Sequence, residues 1–280
     1  MVALRVARFA AAVFVLALGA VAARAPQAAE PPAKPLFHLD LGAHSNSIWQ
    51  MALDPAGRFF ATASSDRTLR VWDATSGELQ QTIRPPTSPL AEGWFASVAV
   101  SPDGRTLAAG GGLCHTFEGS YCLYLFERAS GALKQRILGF PSHVSRVLFS
   151  ADGRLLLALT INDGVRLHRV ADGALLGEDR EFGRQPAYTA ALSRDGLALV
   201  GSRDGALRLY RVGPDGLERL VKRAAHSRGS PHAAAFSPDG RKVAVTHLFG
   251  GNNIAVLDAG TLDLLYNADT RGFRHGFVSV

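Results

Sequence analysis

Between His44 and Leu79, apolar and small residues alternate with polar ones in short runs: Ile48 to Leu53, Phe59 to Ser64 and Leu69 to Trp72. A period of two over runs this short predicts strands rather than helices. Asp54-Pro55-Ala56-Gly57 separates the first two runs and fits a type I turn, with proline fixing φ at the second position and glycine closing the fourth. Thr75-Ser76-Gly77 is a second turn and leads into a fourth strand, Glu78 to Ile83. The stretch therefore reads as four antiparallel strands.

This unit repeats. The turn glycine recurs at Gly57, Gly104, Gly153, Gly196 and Gly240, at intervals of 43 to 49 residues. Three of the later copies share one setting, Ser101-Pro102-Asp103-Gly104-Arg105, Ser150-Ala151-Asp152-Gly153-Arg154 and Ser237-Pro238-Asp239-Gly240-Arg241. The end of the third strand moves in phase, as Trp72-Asp73, Phe126-Glu127, His168-Arg169, Tyr210-Arg211 and Leu257-Asp258. Two landmarks keeping step over five copies, with four strands in about 40 to 50 residues, predict an all-β β-propeller built from four-stranded antiparallel blades. The expected blades are 42–86, 91–140, 141–180, 183–224 and 225–268, five complete units, with a sixth starting at 269–280.

The residues of the first blade resemble the WD-repeat family. It has the Trp72-Asp73 dipeptide and, at the family's spacing, His44, Ser64, Asp66 and Trp72. The resemblance implies that these four form a structural hydrogen-bonded line from the loop before the first strand to the third strand. Blade four keeps Ser202 and Asp204 but has Tyr210 in the tryptophan position, and the remaining blades depart further. The resemblance covers residues 36 to 280. It also implies that loops joining fourth strand to first, and second strand to third, emerge on one face.

Upstream of the propeller, Arg5 and Arg8 precede an uncharged apolar run from Phe9 to Ala23, and Ala23-Arg24-Ala25 follows. This composition predicts a secretory signal peptide over 1–25, followed by a proline-rich linker over 26–35. The run is shorter than the roughly 20 residues a membrane span needs, so a membrane role is expected only if the segment is retained. The expected location is periplasmic or secreted. Three of the six net positive charges lie in this leader, which leaves +3 for the rest. Arg58, Arg105, Arg154 and Arg241 occupy the same turn of successive blades and read as a solvated rim, so no nucleic-acid partner is expected. Leu36 to Leu41 looks like a lone strand, and Arg274 to Val280 restarts the pattern of blade two. One orphan strand and one restart do not close a ring, so the ring is expected to be incomplete within this chain.

Catalytic chemistry is sparse. The nine histidines show neither the helical pairing nor the finger spacing of a metal site, and no nucleophile elbow or phosphate-binding loop is present. No catalytic residue, metal or cofactor is expected. Function falls to a protein-interaction scaffold with a protein or peptide partner, since a rigid disc with variable loops suits recognition. Two alternatives stand beside it. Residues 61–86 and the turns that follow look like the N-terminal half of secreted bacterial proteins joining WD repeats to a caspase-like cysteine peptidase. Residues 252–265 and the SPDGR turns suggest a TolB-like propeller or a lactonase or quinoprotein type.

Two further expectations concern particular side chains. Cys114 and Cys122 lie symmetrically about Glu118 in the insertion of blade two, and in an exported chain they are expected to form a disulfide. Trp94, His115, Phe117, Phe182, Arg184 and Phe249 fall in the variable loops and form the candidate partner face, since aromatic residues and arginine concentrate binding energy.

Overall fold

A computed structural model describes residues 42–85, 93–113, 121–182, 184–226, 229–248 and 254–268, all within the unit Leu41–Val280. Their elements are strands joined by turns. The first sheet contains β1 (Ile48–Leu53), β2 (Phe59–Ser64), β3 (Leu69–Asp73) and β4 (Leu79–Ile83). These bounds match the alternating runs of the sequence to within a residue. The second has β5 (Phe95–Val100), β6 (Thr106–Leu113), β7 (Tyr121–Glu127) and β8 (Leu133–Phe140). The third has β9 (Val144–Phe149), β10 (Leu155–Thr160), β11 (Gly164–Arg169) and β12 (Leu175–Asp179). The fourth has β13 (Ala187–Leu192), β14 (Leu197–Ser202), β15 (Ala206–Gly213) and β16 (Gly216–Ala224). The fifth has β17 (Ser230–Phe236), β18 (Lys242–Leu248), β19 (Ile254–Asp258) and β20 (Leu264–Asn267).

Every sheet is antiparallel in sequence order, and the first strands pack side by side, β1 on β5, β5 on β9, β9 on β13 and β13 on β17. This is the blade arrangement of a β-propeller, with no closed ring among the described residues. Each blade interface is an apolar layer. Phe59, Ala61, Leu69 and Val71 of the first sheet meet Leu107, Ala109, Tyr124 and Phe126 of the second. Leu123, Leu125 and Ile137 then meet Val147, Leu156 and Ala158. Because both faces of an interior sheet are covered, β10 is buried at all six positions, and its LLLALT sequence has lost the alternation seen in β2. β1 shows the opposite limit, with Ile48, Trp49, Met51 and Leu53 all more than half exposed.

One irregularity recurs in all five blades. The pairing of first and second strands slips by one residue, between Ile48 and Gln50, Phe95 and Ser97, Val144 and Arg146, Ala187 and Thr189, and Pro231 and Ala233. The bulge residues are Trp49, Ala96, Ser145, Tyr188 and His232. A bulge re-aims side chains at one end of a strand, and here it does so at the loop end of every inner strand.

The repeated turns are held by one device. The hydroxyls of Ser101, Ser150 and Ser237 each donate to the aspartate two residues on, at 2.5 Å. The same oxygens accept the backbone N–H of Thr106, Leu155 and Lys242. In the first blade Asp54 takes the serine's place and binds Arg58 at 2.7 Å, and that hydrogen bond, first among several causes, holds the Asp54 carboxyl below its usual range. The leader, the linker, the lone strand at 36–41 and the restart at 274–280 lie outside the described residues. No helix long and apolar enough to cross a membrane occurs among the described residues.

Two glycines test how tightly the chain packs at the strand ends within a blade. Gly164 has φ +81°, and a Cβ there would sit 2.0 Å from the Asp179 carbonyl oxygen and 2.7 Å from the Phe182 ring. Gly205 has φ +76° with open space around it. Gly205→Ala is expected to cost about 1 to 2 kcal/mol from conformation alone. Gly164→Ala adds a clash with backbone and is expected to lose about 3 kcal/mol or more. Urea denaturation of both variants checks the difference.

Candidate protein-interaction face

The described site residues of the first blade form a connected network. The His44 Nδ1 lies 2.8 Å from Asp66 Oδ2, and its Nε2 lies 2.7 Å from Thr62 Oγ1. Trp72 Nε1 donates to the same Thr62 oxygen at 2.8 Å. A carboxylate only accepts, so Nδ1 carries the proton and Nε2 accepts from the threonine hydroxyl. Asp66 also receives the Thr68 hydroxyl at 2.6 Å and the Ser45 N–H at 3.1 Å. Burial works to raise the Asp66 carboxyl, but these hydrogen bonds together bring it below its usual range.

Ser64 does not belong to this line, which corrects the expectation for that residue. On β2 it stands two positions past Thr62, where its hydroxyl donates to the Asn46 carbonyl and accepts the Asp66 N–H at the turn. The pairing of β2 with β3 sets Phe60 opposite Trp72 and Thr62 opposite Arg70, so the indole nitrogen reaches Thr62. Corresponding positions of the other blades are Ala109, Ala158, Val200 and Val245, none with a hydroxyl. The line is therefore not repeated. His143, which directly precedes β9 and so stands where the first blade has Ser47 rather than His44, packs between Tyr121 and Trp94 at ring separations of 4.6 and 5.2 Å, and burial lowers its pKa.

Blades three and four carry a buried arginine at the register position of Arg70, which is itself buried in the first blade. The Arg208 guanidinium is fully buried, donates to Ser202, Asp204 and the Glu181 carbonyl, and lies 4.1 Å over the Phe182 ring. Arg166 repeats the arrangement with Asp163, the Gly139 carbonyl and Phe140. Phe182 is fully buried, so it is removed from the candidate partner face. A phenylalanine in a polar loop gave no sign of the arginine above it.

At the loop ends of the inner strands an aromatic patch crosses three blades. Trp49 and Trp94 meet at 5.9 Å, Trp94 meets His143, and His143 meets Tyr121 edge-on. Trp49 is 60% exposed, with its indole N–H bound to Ser65 Oγ at 2.5 Å. Trp94 is partly buried, while Arg184 is exposed in the loop before the fourth blade. His115, Phe117, Phe249 and Cys114 lie outside the described residues. Cys122 is 1% exposed, and no free cysteine occurs among the described residues. Nor does any group of three or more His, Cys, Asp or Glu among them offer a metal site.

Residues 34–73, which hold the whole His44–Thr62–Trp72 line, match the family described as WD domain, G-beta repeat. These residues carry a WD repeat. Among the chain's relatives is Protein hir1 of Schizosaccharomyces pombe, 31% identical over 110 residues that span 39% of this chain and 11% of hir1. The Histone transcription regulator slm9 of the same yeast is 28% identical over 38% of this chain and 13% of its own. Eukaryotic translation initiation factor 3 subunit I of Lodderomyces elongisporus is 25% identical over 82% of this chain and 68% of its own length. The match thus spans about a tenth of the first two relatives. These are yeast proteins, one of them named as a transcription regulator, and they overturn the expectation of a periplasmic or secreted location. The likeness to bacterial caspase-like proteins has no counterpart among them.

Thr62 joins both rings of the first blade, whereas Ser64 serves only the turn. Thr62→Val leaves the His44 and Trp72 nitrogens unpaired and is expected to lose about 2 to 4 kcal/mol. Ser64→Ala is expected to lose about 1 kcal/mol. Thermal and urea unfolding, followed by tryptophan fluorescence, rank the two.

Proposed function

We propose that this WD-repeat chain is a protein-interaction scaffold that acts by binding rather than catalysis, and that its partner docks on the loop ends of the first three blades. The observation that carries this reading is the run of Trp49, Trp94, His143 and Tyr121 across consecutive blades. Aromatic side chains supply large contact area with few rotatable bonds and dominate the energy of many interfaces. Arg184 adds an exposed cation on a neighbouring loop. His115, Phe117 and Phe249 remain part of the proposed face by their place in the loops. The relatives' names support a role in regulatory assemblies for those proteins, and the scaffold reading carries that coarse role to this chain.

The face is tested by affinity capture with quantitative mass spectrometry. A partner enriched on the 280-residue chain is expected to fall at least fivefold when Trp49→Ala and Trp94→Ala are combined. Arg154→Ala, at an exposed turn on the other end of the blade, is expected to leave it unchanged. Equal enrichment on all three proteins would defeat the reading.

Pairing of Cys114 with Cys122 belongs to the same proposal, because it would pin the insertion beside Tyr121. The buried position of Cys122 supports it. The protein, denatured without reductant and treated with iodoacetamide, is expected to take up no label at either cysteine. Two labelled thiols would disprove the bond.

A further inference from the structure

The turn ends of the inner strands, opposite the aromatic patch, border a cavity of about 640 Å³ formed by β1, β5, β9, β13 and their following turns. Its volume lies within the range of sites that enclose a small ligand. Met51, Leu53, Val100 and Leu192 give it apolar walls. Both charged side chains that line it are arginines, Arg146 and Arg194, and none of its lining residues is acidic. Arg194 is exposed at a turn, while Arg146 extends from the middle of β9 and is partly buried.

Arg146 has no ion-pair partner among the described residues, and burial alone holds its guanidinium below the usual arginine range. Its inner-strand neighbours show the same lack. Thr189 shares its register on β13, and its buried hydroxyl has no partner among the described residues. His232, the bulge residue of β17, buries Nδ1 without a partner among them. Burial, and then the charge of Arg146, lower the His232 pKa. A partly desolvated cation is costly unless an anion with good hydrogen-bond geometry joins it. Guanidinium and carboxylate meet that need through paired hydrogen bonds.

We propose that this cavity binds an acidic peptide segment of a protein partner, with one carboxylate on Arg146, apolar neighbours on Met51 and Leu192, and a second acid toward Arg194. Charge complementarity argues for it: a deep and a rim arginine separated by apolar wall match a strand in which acidic and apolar residues alternate. None of Trp49, Trp94, His143 and Tyr121 lines the cavity, so the proposal holds or fails independently of the aromatic face.

Fluorescence anisotropy of a labelled Leu-Glu-Leu-Glu-Leu peptide, titrated with the 280-residue chain in about 50 mM salt, tests it. Saturable binding is expected, weakened tenfold or more by Arg146→Gln, at least twofold by Arg194→Gln, and not by Trp49→Ala. Replacing both peptide glutamates with glutamine is expected to weaken binding tenfold or more, a comparison that needs no protein variant. Circular dichroism shows whether Arg146→Gln folds, and where it does not, Arg194→Gln and the peptide pair decide. Equal affinity for the glutamine peptide, unchanged affinity of folded Arg146→Gln, or binding of hexanoate without binding of the peptide would overturn the proposal.

Discussion

No blade of this protein can hide its own apolar surface, and the rest of the structure depends on that constraint. A four-stranded sheet with apolar side chains on both faces is stable only when another sheet covers each face. Burying one leucine-sized side chain contributes about 1.5 to 3 kcal/mol, against about 0.5 to 1.5 kcal/mol for a typical hydrogen bond. The layers joining Leu69 and Val71 to Leu107 and Phe126, and Leu123 to Leu156, therefore outweigh the polar contacts that decorate them. Stability in such an array is close to a sum of repeat and neighbour terms.

The polar networks do a different task, and their distribution follows from the same packing. On the first blade, Phe60, Thr62 and Trp72 lie on the face by which each later blade packs against its predecessor. In the second blade those positions are Leu107, Ala109 and Phe126, all inside the apolar layer with the first. Where a sheet precedes, the threonine gives way to alanine or valine and the tryptophan to other rings or leucine. Arg166 and Arg208 then hold the loop end by stacking on Phe140 and Phe182, with their charge met by nearby carboxylates and carbonyls.

Much of the fold was legible because turns and strand ends are local. Proline, aspartate and glycine mark each turn chemically, and the strands between them alternate, so four-stranded blades followed from spacing alone. The site was less legible. Ser64 and Thr62 are both small hydroxyl residues on one face of β2, and only the pairing of Phe60 with Trp72 decides which one the indole meets. Trp49 escaped notice because alternation assumes a regular strand, whereas the bulge beside it changes the direction of the residues at the loop end. Phe182 was misplaced since its burial depends on Arg208, 26 positions later in the chain.

The inner strands carry different chemistry at their two ends, for a reason rooted in the repeat. At the turn end the Ser-Asp pair or its Asp-Arg substitute must close the hairpin, which fixes the turn and leaves the side chains above it free to vary. One residue past the bulge stand Gln50, Ser97, Arg146, Thr189 and Ala233, five different residues on one backbone frame. At the loop end the bulge is what repeats, while its occupants change from Trp49 through Ala96, Ser145 and Tyr188 to His232. A frame that specifies backbone, bulge and turn but not the occupants of these two adjacent rows lets recognition diverge there without disturbing the layers between blades. Arg146 shows how far that freedom extends, since a guanidinium stands in a row that elsewhere holds glutamine, serine, threonine or alanine. The fold accommodates it because the inner strands leave a cavity there, and the apolar layers that carry the stability lie farther out.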